Sequence, residues 1–234
     1  MKVPGRIFKT AIVVSGMLLM YNACKKTEVN VSNANLKVLN LSPDAPGLDL
    51  YINSKLVASN IPFADSTAYD STAPGTYFAE IKKNGQTDAL FNFTTTLPPS
   101  RYYTLFTVGM IDQLRPVLIE DERVADTSIS KIRFFHFVPN GDTMNVYFLD
   151  TDTTSRLTYT KRRFSDQDST TNLQQYAGMI ADTCRIYIQN SRDSSTIYTS
   201  EKMIFQKGKL YTFYLQGLKG ATGATAMKLK EIQQ

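Results

Sequence analysis

One histidine, His136, and two cysteines, Cys24 and Cys184, are all that the sequence supplies for imidazole or thiol chemistry. A Ser-His-Asp triad would have to use His136 as its base, and no Gly-x-Ser-x-Gly elbow accompanies it. Zinc sites draw on several His or Cys ligands, which are missing. Carboxylates are more plentiful: Asp44, Asp49, Asp65 and Asp70 fall close together, and Asp150-Thr151-Asp152 and Asp166-Gln167-Asp168 come nearest to a calcium spacing. Calcium takes about six to eight oxygens from a loop of defined pattern, and no Asp-x-Asp-x-Asp-Gly run occurs. Asp44 reads instead as a turn residue bonding its own backbone. Paired carboxylates also serve glycosidases, but such sites lie in aromatic-lined clefts and the chain has no Trp. Tyr102, Tyr103, Tyr211 and Tyr214 have the rings to stack on sugars, although strand alternation directs some of them inward. No Gly-rich phosphate loop follows a strand. No metal, cofactor or catalytic group is expected.

Cys24 belongs to a different chemistry. Lys2, Arg6 and Lys9 precede an apolar run over 11–20. A bilayer span needs roughly 20 apolar residues, so this run is too short to cross, and 1–23 reads as a secretory signal. Met20-Tyr21-Asn22-Ala23-Cys24 resembles a bacterial lipobox, with a small residue just before the cysteine. In that chemistry the thiol takes a diacylglycerol and the new amino terminus takes a further acyl chain. Each buried methylene contributes about 0.8 kcal/mol, so several chains anchor firmly where one would not. Residues 24–35 read as a polar tether. Lys25, in place of Asp, is compatible with sorting to the outer membrane of a diderm bacterium, facing either the periplasm or the surface. The chain carries 26 Lys+Arg against 21 Asp+Glu. Loss of the leader removes three cations and no acid, leaving 23 against 21, which gives no support for nucleic-acid binding. With Cys24 acylated, no second cysteine remains to bridge Cys184. Cys184, Ile186 and Ile188 share one strand face, as a buried thiol would.

The elements that position these residues come from a duplication. Residues 36–53 and 132–149 align without a gap at an offset of 96, pairing Lys37 with Arg133, Pro43 with Pro139, Asp44 with Asn140 and Tyr51 with Tyr147. The match resumes at Arg101-Tyr102-Tyr103-Thr104 and Lys209-Leu210-Tyr211-Thr212 at an offset of 108, so the second copy carries insertions between Tyr147 and Cys184. Each copy alternates with a period of two. Leu39 and Leu41 share a face, as do Phe135 and Phe137, with His136 on the opposite face and expected to hydrogen-bond near the following turn. Ser42-Pro43-Asp44-Ala45-Pro46 is dense in turn formers, and Asn84-Gly85 and Lys207-Gly208 read as hairpin tips. The expected fold is all-β: a first immunoglobulin-like sandwich over 36–122, a polar linker over 123–130 and a second sandwich over 131–234.

Ser42-Pro43-Asp44-Ala45-Pro46, followed by Leu48-Asp49-Leu50-Tyr51, resembles the signature of the bacterial family known as domain of unknown function 4397. In the second copy His136 stands at the family's histidine place, while the turn motif is eroded to Pro139-Asn140-Gly141-Asp142. The resemblance implies tandem immunoglobulin-like domains on Bacteroidota-type envelope lipoproteins. It implies no known activity, and structural roles for Ser42, Pro43, Asp44, Ala45, Pro46, Asp49, Tyr51, His136, Pro139 and Tyr147. The function expected is a non-catalytic binding or structural module, lipid-anchored at Cys24, that meets an envelope protein or glycan. The alternative is a glycan-active hydrolase using paired carboxylates. Cys24→Ser is expected to move the protein from the membrane to the soluble fraction, as followed by cell fractionation; a variant that stays with the membrane would rule out the acyl anchor.

Overall fold

The computed structural model describes Met1 and residues 32–123, 128–180 and 183–233. Cys24, the expected signal and most of the expected tether fall in the unit Met1–Asn30 and lie outside the described residues, Met1 apart. Val31–Gln234 is one compact unit. Its first copy forms β1 (Ala34–Asn40), β2 (Leu48–Ile52), β3 (Lys55–Ile61), β4 (Asp70–Thr72), β5 (Gly75–Lys83), β6 (Ala89–Leu97), β7 (Tyr102–Val108) and β8 (Arg115–Glu120). The second forms β9 (Ser130–His136), β10 (Met144–Leu149), β11 (Ser155–Arg162), β12 (Ala177–Met179), β13 (Thr183–Asn190), β14 (Thr196–Thr199), β15 (Met203–Ile204), β16 (Leu210–Gln216) and β17 (Lys228–Gln233). A short helix, α1 (Asp166–Ser169), sits in the longer connection between β11 and β12.

Each copy folds as two facing sheets, and the chain is two tandem β-sandwiches of immunoglobulin-like build. In the first copy β3-β2-β5-β6 make an outer sheet and β4-β1-β7-β8 an inner one; in the second, β11-β10-β13-β14 and β12-β9-β16-β17 repeat that order. Both inner sheets run their first strand parallel to a late one, Leu36 beside Tyr103 and Ile132 beside Tyr211. Asn84-Gly85 is the tip of the β5–β6 hairpin, with Gly85 at φ 73°. Lys207-Gly208 differs from the hairpin expected there. It carries the chain from β15, on the outer sheet, to β16, on the inner one, and the Gly208 N–H donates to Ile129 O at 2.9 Å.

Alternation fills two cores and then a third. Leu36, Val38 and Leu105 pack against Leu48, Leu50 and Ile81 inside the first sandwich. Phe134 and Phe213 pack against Val146, Phe148 and Ile188 inside the second, where Cys184 is also buried. The opposite faces of the inner sheets meet each other. Leu39, Leu41, Phe106, Val108, Val117 and Ile119 form one cluster with Phe135, Phe137 and Tyr214. The Phe106 ring lies 5.0 Å from Phe137 and 6.1 Å from both Phe135 and Tyr214. Both inner sheets are therefore covered on two sides, and the layers run outer, inner, inner, outer. A polar linker between separate bodies does not describe this arrangement, because the inner strands carry more apolar surface than either sandwich encloses. Residues 124–127 of the expected linker lie outside the described residues.

One edge of the shared layer is polar. The Arg133 guanidinium, 2% exposed, donates to Asp121 Oδ1 at 2.7 Å, to Glu120 O at 2.9 Å and to Thr212 Oγ1 at 2.8 Å. Asp121 Oδ2 accepts from the Tyr69 hydroxyl at 2.8 Å and from Thr104 Oγ1 at 2.5 Å. Arg133 also lies 4.3 Å from the Tyr176 ring centroid. Two charges out of water are costly unless their remaining valences are met; here the guanidinium and both carboxylate oxygens are bonded. Asp121 follows β8 and Arg133 lies on β9, so this ion pair fastens the end of one copy to the start of the other.

The motif turns hold the loops on the same plan in both copies. Asn40 Oδ1 accepts the Ser42 N–H at 3.0 Å and its Nδ2 donates to Ile61 O at 2.9 Å. At the matching place His136 Nδ1 accepts the Val138 N–H at 3.2 Å, and its Nε2 bonds Asp142 O at 3.1 Å, which requires the proton on Nε2. A Cβ on Gly141 would fall 2.6 Å from the imidazole Cε1, so glycine is what lets the ring lie on the turn. Asp44 is not bonded to its own backbone as expected. It reaches across to the loop after β7 and accepts the Ile111 N–H at 2.9 Å. Asn140 does the same in the second copy, accepting the Lys219 N–H at 2.8 Å. Asp49 and Asn145 each accept the N–H of a bulge residue in positive φ, Asn60 at 2.7 Å and Lys161 at 2.8 Å. Burial raises the Asp49 pKa, but the Asn60, Asn84 and Gly85 donors outweigh it and leave the carboxyl below its usual range.

Two outcomes test this scheme. Phe106→Ala removes the centre of the shared cluster and is expected to cost about 3–5 kcal/mol in urea unfolding; a variant as stable as the parent would deny the cluster its role. Burial drives the His136 pKa down to about 4, against the Asp142 carbonyl and the Asp166 charge that favour the proton. An unfolded histidine titrates near 6.5. As pH falls below about 6.5 the unfolded chain takes up its proton first, so this contribution to stability is full above that pH and declines toward pH 4. About 2 kcal/mol is lost between pH 7 and pH 5. His136→Asn, which installs the first copy's residue, is expected to flatten the urea midpoint over that window.

Candidate binding face

Most residues singled out from the sequence are engaged within the fold. Ser42, Asp44, Asp49 and His136 make the bonds just given; Pro43 is buried, Ala45 packs against the first core, Pro46 is exposed and Pro139 is half-buried at the matching turn. Tyr103, Tyr211 and Tyr214 are buried in the cores, and Tyr102 stands edge-on to Tyr69 at 5.3 Å, so these four make no surface platform. Tyr51 and Tyr147 are different. Each stands half-buried on the outward face of an outer sheet, because Leu48, Leu50 and Ile52, or Met144, Val146 and Phe148, take the inward positions of the same strand.

The two tyrosines have different neighbours. Across the β2–β5 ladder Tyr51 faces Glu80, and the Lys82 ammonium, paired with Glu80 at 3.5 Å, lies 4.6 Å from the centre of the Tyr51 ring. Across the β10–β13 ladder Tyr147 faces Tyr187 instead, with ring centroids 6.4 Å apart and planes tilted by 36°. Cys184, Ile186 and Ile188 point into the second core, which sends Thr183, Arg185 and Tyr187 outward. The Tyr187 hydroxyl is fixed by Thr196 Oγ1 at 2.8 Å and by the Gln189 amide at 3.1 Å, and these bonds lower its pKa.

Beside this pair lies a depression of about 300 Å³, lined by half-buried Leu149, Thr183 and Tyr187 and by exposed Arg185, Thr199 and Lys202. That volume is at the small end of ligand sites, which span about 300–1,000 Å³. Asp150 closes one end, but its carboxylate is already paired with Arg156 and accepts the Asp152 N–H at 2.9 Å. Arg185 and Lys202 make no ion pair among the described residues. The backbone groups of β10 and β13 are taken by ladder partners on both sides, so a ligand here meets side chains alone. The face offers two rings, two cations and hydroxyls. These are groups that can hold a molecule by stacking, ion pairing and hydrogen bonding. Nothing in the sequence singled out Tyr187; the available signal was an aromatic at an outward position of a strand whose inward face is Cys184, Ile186 and Ile188. Among the described residues, no group of three or more His, Cys, Asp or Glu is placed to hold a metal.

Among solved structures, a candidate cell adhesion protein from Parabacteroides distasonis aligns with 87% of this chain and 98% of its own length, at 8% identity and a TM-score of 0.21. Another candidate cell adhesion protein, from Bacteroides fragilis, covers 88% of this chain and 98% of its own at 8% identity and a TM-score of 0.24. A family 26 carbohydrate-binding module of Eubacterium rectale, solved with maltoheptaose, covers 85% and 96% at 10% identity and a TM-score of 0.24. The sequence matches no curated protein. A family profile matches residues 34–147, from the first residue of β1 to Tyr147 on β10. The family that this segment matches is described as Domain of unknown function (DUF4397).

Proposed function

We propose that the protein is a non-catalytic binding module, held at the cell envelope by acylation of Cys24. The observation that carries this reading is the division of labour among its side chains. Several groups able to do chemistry are engaged in the fold: His136 is buried and neutral, Arg133 and Asp121 are paired, and Asp44 and Asp49 hold loops. The outward face around Tyr147 and Tyr187, where Thr196 and Gln189 hold the Tyr187 hydroxyl, has side chains to spare for a partner. Asp150 and Asp152 adjoin, but the Asp150 carboxylate is paired with Arg156 and accepts the Asp152 N–H at 2.9 Å, and Asp152 accepts the Thr154 N–H at 2.9 Å, bonds that belong to a turn.

Attachment rests on the 20–24 motif; among the described residues no helix is long and apolar enough to cross a membrane. The location this supports is the outer membrane of a diderm bacterium, on its periplasmic or outer side, with an envelope glycan or protein as partner. Crosslinking in intact cells followed by mass spectrometry is expected to recover a reproducible envelope partner. A panel of glycans and esters incubated with the detergent-solubilised protein is expected to be returned intact. Turnover abolished by a single Asp→Asn change would replace this reading with the hydrolase.

A further inference from the structure

Resting on the binding-module reading, the geometry points to a site for an acidic polysaccharide on the outer face of the second sandwich, formed by Tyr147, Tyr187, Arg185 and Lys202. Three observations lead to this chemistry. The two rings stand side by side on the outward face of the sheet, with centroids 6.4 Å apart, and make an aromatic strip. Such a strip suits the C–H faces of successive sugar rings. A peptide would seek main-chain partners, and the ladders on both sides of β10 and β13 leave none. Next, Arg185 and Lys202 line the adjoining depression with no acid paired to them among the described residues, while Asp150, the acid within reach, is matched by Arg156. A planar guanidinium binds a carboxylate with two parallel bonds, so uronic-acid carboxylates complement this surface where neutral sugars would leave both cations unanswered. Finally, the first copy lacks the arrangement at the same lattice places. Glu80 stands where Tyr187 does, and the Lys82 ammonium lies over the Tyr51 ring. The shared fold therefore does not require the tyrosine pair. The Tyr187 hydroxyl is held by Thr196 and Gln189, so the ring loses little freedom on binding.

The test is affinity electrophoresis of the full-length protein in non-ionic detergent, through gels containing polygalacturonate, alginate or carboxyl-reduced polygalacturonate. Retardation is expected by the two acidic polymers and not by the reduced one, and it should weaken with added salt. Tyr187→Ala and Arg185→Gln are each expected to weaken binding by about tenfold. Tyr187→Phe keeps the ring and should retain most of it, which separates loss of stacking from loss of fold. Tyr51→Ala should leave retardation unchanged. Equal retardation by the reduced polymer, competition by polyglutamate as strong as by oligogalacturonate, or full binding by Tyr187→Ala would each overturn the site. No retardation by either acidic polymer would also overturn it; should crosslinking then still recover an envelope partner, the binding-module reading would survive without this site.

Discussion

The contact that the rest of the molecule depends on is the meeting of the two inner sheets. A strand of alternating residues has two faces, and in most sandwiches only one needs cover. Here Leu36 and Val38 face one way while Leu39 and Leu41 face the other, and both sets are buried. Phe134 and Phe135 divide between layers in the same manner. The inner sheets therefore have the character usually seen in sheets covered on both sides. Neither sandwich could present Phe106, Phe135, Phe137 and Tyr214 to water without a large apolar patch. The stack of four layers is a consequence of that chemistry, and it makes the pair one body with two outward faces.

Within this body the duplicated turns keep a bond in place while changing the residue that makes it. Asn40 and His136 are chemically unlike, yet each offers one acceptor to the N–H two residues on and one donor to a backbone carbonyl. Asp44 and Asn140 both fasten the loop between the last two inner strands. Asp49 and Asn145 both hold a bulge in positive φ. What persists is an acceptor at a defined point; for the Ser42 and Val138 N–H groups, which are buried, lacking one would be costly. That explains how the Pro-Asp-Ala-Pro turn can erode to Pro139-Asn140-Gly141-Asp142 without loss of the turn.

Much of this architecture was legible in the sequence, because period-two alternation and a duplicated turn are local signals. The inner-sheet contact was not. Alternation reports that Leu39 and Leu41 share a face, and that Phe135 and Phe137 do, but not whether the opposing surface belongs to the same sandwich. The clue was density: β16 runs Leu210, Tyr211, Thr212, Phe213, Tyr214 and Leu215, with apolar side chains on both faces. The Asp44 bond is hidden from the sequence for a related reason. Asp in a turn usually bonds locally, and its partner here, Ile111, lies 67 residues away. Lys207-Gly208 has the composition of a hairpin tip, and only the sheet order shows that it bridges two sheets. Nothing local marks Tyr187, because the alternation of Cys184, Ile186 and Ile188 reports only the buried face of its strand.

These divisions also locate where the two copies were free to part. The cores, the shared layer and the motif turns fix the inward residues of each strand, and a change there must be met by another bond. Outward positions on the outer sheets carry no such demand, since the side chains there face solvent. The copies diverge there in kind: a Glu80–Lys82 pair laid over Tyr51 in one, Tyr187 and Gln189 beside Tyr147 in the other. An ion pair over a ring quiets a surface, because a surface pair adds little to stability yet covers an apolar face with charge. An uncovered tyrosine pair with cations beside it does the reverse, keeping apolar and charged area available together. With His136, Arg133, Asp121, Asp44 and Asp49 engaged in holding the fold together, that difference between equivalent faces is where recognition has room to arise.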